Sequence, residues 1–183
     1  LHDAAAIGVP AAGAPAAPAA PSTARPPTRD QPRAAPTSRR ALAAGRRAAG
    51  RAAGALLAME LPRGGWGYNR NASPDADSTA HVLSLLVRSG APVPPAAVAF
   101  LQGHRDASGQ FSTYRSADPA HAWARPHLDV TAAALRALYE AGVLTRQELA
   151  AAWSAVFGDA QDAHGWWHGY WWTTPAYTTG LVL

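Results

Sequence analysis

From residue 41 onward, apolar positions recur at spacings of three and four, and short polar or glycine-rich breaks separate the runs. Two runs match without a gap. Residues 74–90, PDADSTAHVLSLLVRSG, and 126–142, PHLDVTAAALRALYEAG, agree at seven of seventeen positions, in the frame P-x-x-D-x-T-A-x-x-L-x-x-L-x-x-x-G. Leu83 with Leu86, and Leu135 with Leu138, are three apart and fall on one helical face. Pro74 and Pro126 suit a first helical turn, where a missing N–H costs nothing. Gly90 and Gly142 suit the left-handed position just past a helix end. Each unit therefore predicts a helix with a start, a buried stripe and a stop.

A second repeat is interleaved with the first: ELPRGGW at 60–66, RDASGQF at 105–111 and QDAHGWW at 161–167. Gly64, Gly109 and Gly165 hold one place, and Trp66, Phe111 and Trp167 another. A glycine permits a tight turn, and the aromatic beside it can stack on a neighbouring helix end. Between the units lie return helices. PPAAVAFLQGH places Val98 and Leu101 on one face, and TRQELAAAWSAVF opens with Thr145 and Glu148 at capping-box spacing before Leu149, Trp153 and Val156. The pattern predicts helices over about 41–60, 75–89, 95–104, 127–141 and 146–157, with a last one from near Pro175. Nothing alternates as a strand does.

Composition changes this picture mainly at the N-terminus. Residues 1–55 hold eight arginines against Asp3 and Asp30, whereas 56–183 hold eight arginines against ten acids. The basic character thus belongs to residues 1–40, an Ala/Pro/Arg-rich segment that breaks helices, buries little and is expected to be disordered. Its arginines are scattered without aromatics, so it reads as a solvated linker, and no specific nucleic-acid partner is expected. Residues 41–183 are expected to form the folded domain. Without cysteine, the chain has no disulfide, thiolate metal site or cysteine nucleophile. No apolar run reaches membrane-spanning length and no export signal is seen, which leads to the expectation of a cytoplasmic protein, with peripheral membrane contact left open. AYTTGLVL stops inside an apolar run, so the domain is expected to be truncated at its C-terminus.

The elements Q-x3-G-x-W and D-x-D-x-T resemble those of the terpene cyclase and protein prenyltransferase superfamily. GGWGYN…PDADSTA is most similar to the squalene–hopene cyclase and class II diterpene cyclase branch. The resemblance spans about residues 50–183. Gln161, Gly165 and Trp167 match the QW motif outright, whereas Glu60 and Arg105 stand at the glutamine position of the other copies and Phe111 at one tryptophan position. The resemblance implies an all-α fold, an α/α toroid of helical hairpins around a cavity. Six helices are too few to close such a ring, so the rest is expected from a C-terminal continuation or another chain. It also implies a polyprenyl substrate, no cofactor, and protonation of an alkene or epoxide by the middle aspartate of D-x-D-D. Carried over by position, Asp77 is the acid, Asp75 its neighbour, and Ser78 stands in place of the last aspartate. Burial and a second carboxylate would keep one proton on the pair. Ser78 can add a hydrogen bond but no charge.

A plainer reading stands beside this one. Asp77 has a counterpart in Asp129, so both could simply cap helices or bind backbone N–H groups, in a non-catalytic repeat scaffold used for binding. Only Asp75 is peculiar to the first unit, since His127 takes its place in the second. The aromatics divide likewise. Trp66 and Trp167 suit core packing, whereas Trp171, Trp172 and Tyr177, outside the repeated frame, suit a substrate-binding cavity wall that stabilises cations through π faces. His164 and His168 are separated by glycine and make a poor zinc pair. The zinc-dependent prenyltransferase branch needs a cysteine. No D-D-x-x-D, phosphate loop or nucleophile elbow is present, and no metal site is expected.

Overall fold

A computed structural model describes residues 39–116 and 120–183. The expectation of disorder over 1–40 lies outside the described residues except at Arg39 and Arg40, which already open a helix. Six α-helices follow: α1 Arg39–Leu57, α2 Ala76–Ser89, α3 Pro95–Gln102, α4 Leu128–Glu140, α5 Arg146–Phe157 and α6 Pro175–Val182, with a 3₁₀ turn at Ala122–Ala124. Among the described residues there is no strand, only three isolated bridges, which tie loops to one another. No helix among them is long and apolar enough to cross a membrane.

The stop signals act as the sequence predicts. Gly90 and Gly142 adopt φ of 71° and 73°, and Gly64, Gly109 and Gly165 turn their loops at φ between 81° and 86°. The start signals are shifted by two residues. Asp75 and His127 are the N-cap positions of α2 and α4, so Pro74 and Pro126 lie outside the helices and hold the incoming chain extended. Thr145 and Glu148 form the full capping box of α5.

Helices α2, α4 and α6 form one row: α4 packs against both α2 and α6, while α1 and α3 pack on α2 and α5 packs on α4. Leu83, Leu86, Leu101, Leu135 and Leu138 are fully buried between them, each contributing about 1.5–3 kcal/mol of apolar transfer.

The glycine-aromatic loops join the row to its outer helices through a repeated set of hydrogen bonds. The indole of Trp66 donates from Nε1 to the Leu56 carbonyl at 2.7 Å, and that of Trp167 to the Phe157 carbonyl at 2.9 Å. Each adds a second donor to a carbonyl at a helix C-terminus, beside the Met59 and Ala160 N–H groups. The backbone N–H of the aromatic then reaches forward to a buried threonine in the next helix of the row. Trp66 donates to Thr79, Phe111 to Thr131 and Trp167 to Thr179, at 2.9–3.2 Å. In return, Asp75 N–H donates to the Trp66 carbonyl and His127 N–H to that of Phe111. Pro175 occupies the same place in the third unit and has no N–H to give.

This third copy was hidden in the sequence. Thr174–Thr179 stands in register with residues 74–79 and 126–131, which puts Tyr177 at the position of Asp77 and Asp129. Tyr177 is therefore inside the repeated frame, contrary to the sequence reading. Arg105 also proves equivalent to Gln161: Arg105 Nε donates to the Gly109 carbonyl at 3.4 Å, as Gln161 Nε2 does to that of Gly165 at 3.0 Å.

Candidate active site

Two aspartates two residues apart on a helix start face very different surroundings. Asp75 caps α2: its carboxylate accepts the Ser78 N–H at 2.7 Å and the Ser78 hydroxyl at 2.9 Å. Ser78 thus serves Asp75 rather than Asp77. Burial is the main effect raising the Asp75 pKa above its usual value, the Ser78 bonds oppose it, and the nearby Asp77 charge adds to the rise. Asp77 caps nothing. Its Oδ1 is fully buried and accepts no hydrogen bond, so the partial exposure of its side chain, 26%, belongs to the remaining atoms. His81, one helical turn on, brings Nε2 to 3.5 Å from that Oδ1. The same Nε2 lies 2.8 Å from the Tyr177 hydroxyl on α6.

The counterpart, Asp129, is spent on structure. Its Oδ2 accepts the backbone N–H groups of Tyr170 and Trp171 at 3.1 and 3.2 Å, and its Oδ1 that of Val130. Asp77 and Asp129 therefore do not share one role: Asp129 takes the Val130 N–H in the first turn of α4 and holds the loop that leads into α6, whereas no such donor reaches Asp77 Oδ1. Gly169 allows that loop to close, since a Cβ there would sit 2.6 Å from Asp129 Oδ2.

The loop carries aromatics to a cavity of about 910 Å³. Asp75, Asp77 and Ser78 line one side, and Trp171 and Trp172 another. Trp171 is fixed by its Nε1, which donates to the buried Thr113 hydroxyl at 2.8 Å. Tyr170 behind it stacks on His127 with ring centroids 4.1 Å apart. Tyr177 does not line the cavity. It lies against Trp172, with ring centroids 4.9 Å apart, and joins that wall to His81. Burial first, then the Asp77 and Asp129 charges, push the Tyr177 phenol up to about 12, so it stays a neutral donor at any working pH.

Much of the remaining wall comes from Tyr68 after the first glycine-aromatic loop, and from three residues the sequence reading passed over, Tyr114, His121 and Trp123, in the segment between Phe111 and α4. The interval from aromatic to threonine is 13 residues in the first unit, 12 in the third and 20 in the second. That added length was the readable signal. His168 bonds to Asp162 at 2.7 Å rather than pairing with His164, and the described residues hold no group of three or more side chains suited to a metal.

No family model matches the chain. It is 33% identical, over 128 residues, to a (+)-kolavenyl diphosphate synthase of Herpetosiphon aurantiacus, a match covering 69% of this chain and 22% of that protein. Among solved structures, the type II terpene cyclase MstE from Scytonema superposes with a TM-score of 0.60 at 30% identity, covering 74% of this chain and 40% of its own. An arginine-to-alanine variant of the same cyclase, in complex with its substrate geranylgeranyl dihydroxybenzoate, gives 0.61 at 28% identity. A protein from Actinoplanes gives 0.60 at 33% identity and 44% of its length. The chain thus spans about a fifth of the curated relative and about two fifths of the solved ones. The helical row and its outer helices are part of an α/α toroid.

Proposed function

We propose, for a chain that belongs to the terpene cyclase superfamily, that it forms the acid-bearing wall of a class II cyclase site and starts cyclisation of a polyprenyl substrate by protonating it. The observation that carries this reading is the contrast at Asp77. It is the aspartate of the repeated frame whose carboxylate is left without a structural task, and it lines an aromatic-walled cavity.

Asp77 transfers its proton to a terminal alkene carbon or an epoxide oxygen, leaving a carboxylate and a carbocation. The neighbouring Asp75, itself raised chiefly by burial and to a smaller degree by the Asp77 charge, disfavours two negative charges at once. The π faces of Trp171 and Trp172 stabilise the migrating cation without capturing it, as water or a carboxylate would. The wall aromatics Tyr68, Trp171 and Trp172 are 45–75% exposed. We take the opposite wall to come from further helices, supplied by a continuation of the chain or by another chain.

The test is incubation of the gene product that carries this chain with squalene, farnesyl and geranylgeranyl diphosphates and geranylgeranyl dihydroxybenzoate. The expected outcome is a cyclised product that disappears in Asp77→Asn while circular dichroism is unchanged. Absence of product from every substrate, or an Asp77→Asn enzyme as active as the parent, overturns the reading.

A further inference from the structure

A class II acid that has given up its proton must recover one before the next substrate, and the hydroxyl of its chain neighbour Ser78 is turned to Asp75. Asp77 Oδ1 is sealed from solvent and accepts no hydrogen bond, yet one titratable side chain stands 3.5 Å away. The His81 side chain is 48% exposed, so the imidazole spans from bulk water to the buried oxygen. Its Nε2 has two candidate partners: Asp77 Oδ1 on its own helix and the Tyr177 hydroxyl on α6.

We propose that His81 is a positioning residue that reloads Asp77 with a proton, and that Tyr177 sets which partner its Nε2 serves. The proposal rests on the acid role of Asp77 given above. When Asp77 is protonated, His81 is neutral and its Nε2 accepts the Tyr177 O–H. After Asp77 has protonated the substrate, the new carboxylate draws a proton onto His81 from water, and the Nε2–H turns to Oδ1. That N–H bond then breaks, the Asp77 O–H bond forms, and Nε2 returns to the Tyr177 hydroxyl. One proton enters from water per turnover, and one leaves when the final carbocation loses a proton or water adds to it.

The charges around His81 fit this cycle. On α2 it faces Asp77 and, farther off, Asp75; on α6 it faces the phenol of Tyr177. The Asp77 carboxylate is the main influence holding the imidazole pKa above its usual value, burial opposes it, and Asp75 adds a smaller rise. The phenol stays protonated throughout, so it donates whenever Nε2 offers a lone pair.

Two measurements test the relay. In His81→Gln, single-turnover cyclisation by enzyme prepared at low pH is expected to match the parent, because the first proton is already loaded. Steady-state turnover is expected to fall on the order of a hundredfold, with its alkaline limb moved to lower pH, and in His81→Ala added imidazole is expected to restore part of the rate. Independently of activity, the NMR titration of His81 is expected to fall to lower pH in Asp77→Asn. His81 variants that keep the parent's steady-state rate and pH profile, or a His81 titration unmoved by Asp77→Asn, overturn the relay and leave the acid role standing. A parent that cyclises nothing overturns the acid role and the relay together.

Discussion

Asp77 and Asp129 occupy the same place in two copies of one frame, and the molecule uses them in opposite ways. Around Asp129 the next loop is short, and its backbone N–H groups at Tyr170 and Trp171 fold directly onto the carboxylate. Around Asp77 the next loop is the long one between Phe111 and α4. It sends a carbonyl, that of Thr113, to the Ala76 N–H, and it lines a cavity with side chains instead of filling the space with amides. A repeat thus frees a carboxylate for the chemistry proposed for Asp77 by removing the donors that would otherwise satisfy it. No new residue type is required, only a loop that stands back.

The largest expected separation of the two is by exchange of each for asparagine. Asp77→Asn should lower cyclisation by about a thousandfold or more, as loss of an essential proton donor does, with a smaller change in urea midpoint than Asp129→Asn shows. Asp129→Asn should show the reverse emphasis, losing about 2–3 kcal/mol of stability through weakened charge-assisted bonds. Thr131→Val should cost about 2 kcal/mol, because it orphans the buried Phe111 N–H. Trp66→Phe keeps the ring but loses the bond to Leu56, and about 1 kcal/mol is expected in the same denaturation assay.

The smallest effects lie in pH. The Asp77–His81 contact raises a histidine, so its contribution is fully present below the ordinary imidazole pKa and is lost as pH rises through the higher folded value. Asp162 gives the opposite sign. The His168 bond, with the Trp166 and His164 N–H groups, holds it down to about 2. Its contribution is present above the ordinary aspartate value and disappears as pH falls through about 2. Thermal melts of His81→Gln and Asp162→Asn across pH should therefore flatten on opposite sides, and matching slopes for parent and variants would remove both assignments.

Much of the scaffold was legible because its signals are local. Gly90 and Gly142 stop helices by their own backbone freedom, and Thr145 with Glu148 starts one by its own hydrogen bonds. The division of labour between Asp75 and Asp77 was not legible, because it depends on where the helix begins to within one residue and on what the following loop donates. A proline placed two residues further out than expected made Asp75 the cap and left Asp77 in the first turn. The third copy escaped notice because Tyr177 replaces the aspartate and Pro175 the cap residue, while its surviving mark, Thr179, shows its function only through a bond to Trp167. His81 carried no motif at all. Its significance comes from a tyrosine 96 residues away.

Gly169 has a further consequence for how this fold can vary. A methyl group at that position would collide with Asp129 Oδ2 and with the Thr178 hydroxyl. Positions 129 and 169 therefore form a linked pair of substitutions: a relative that abandons the carboxylate is free to add a side chain on the loop, and one that keeps it is not. Across relatives the two sites should change together or stay together, and a saturation library at 169 should accept bulk only where residue 129 has already shrunk.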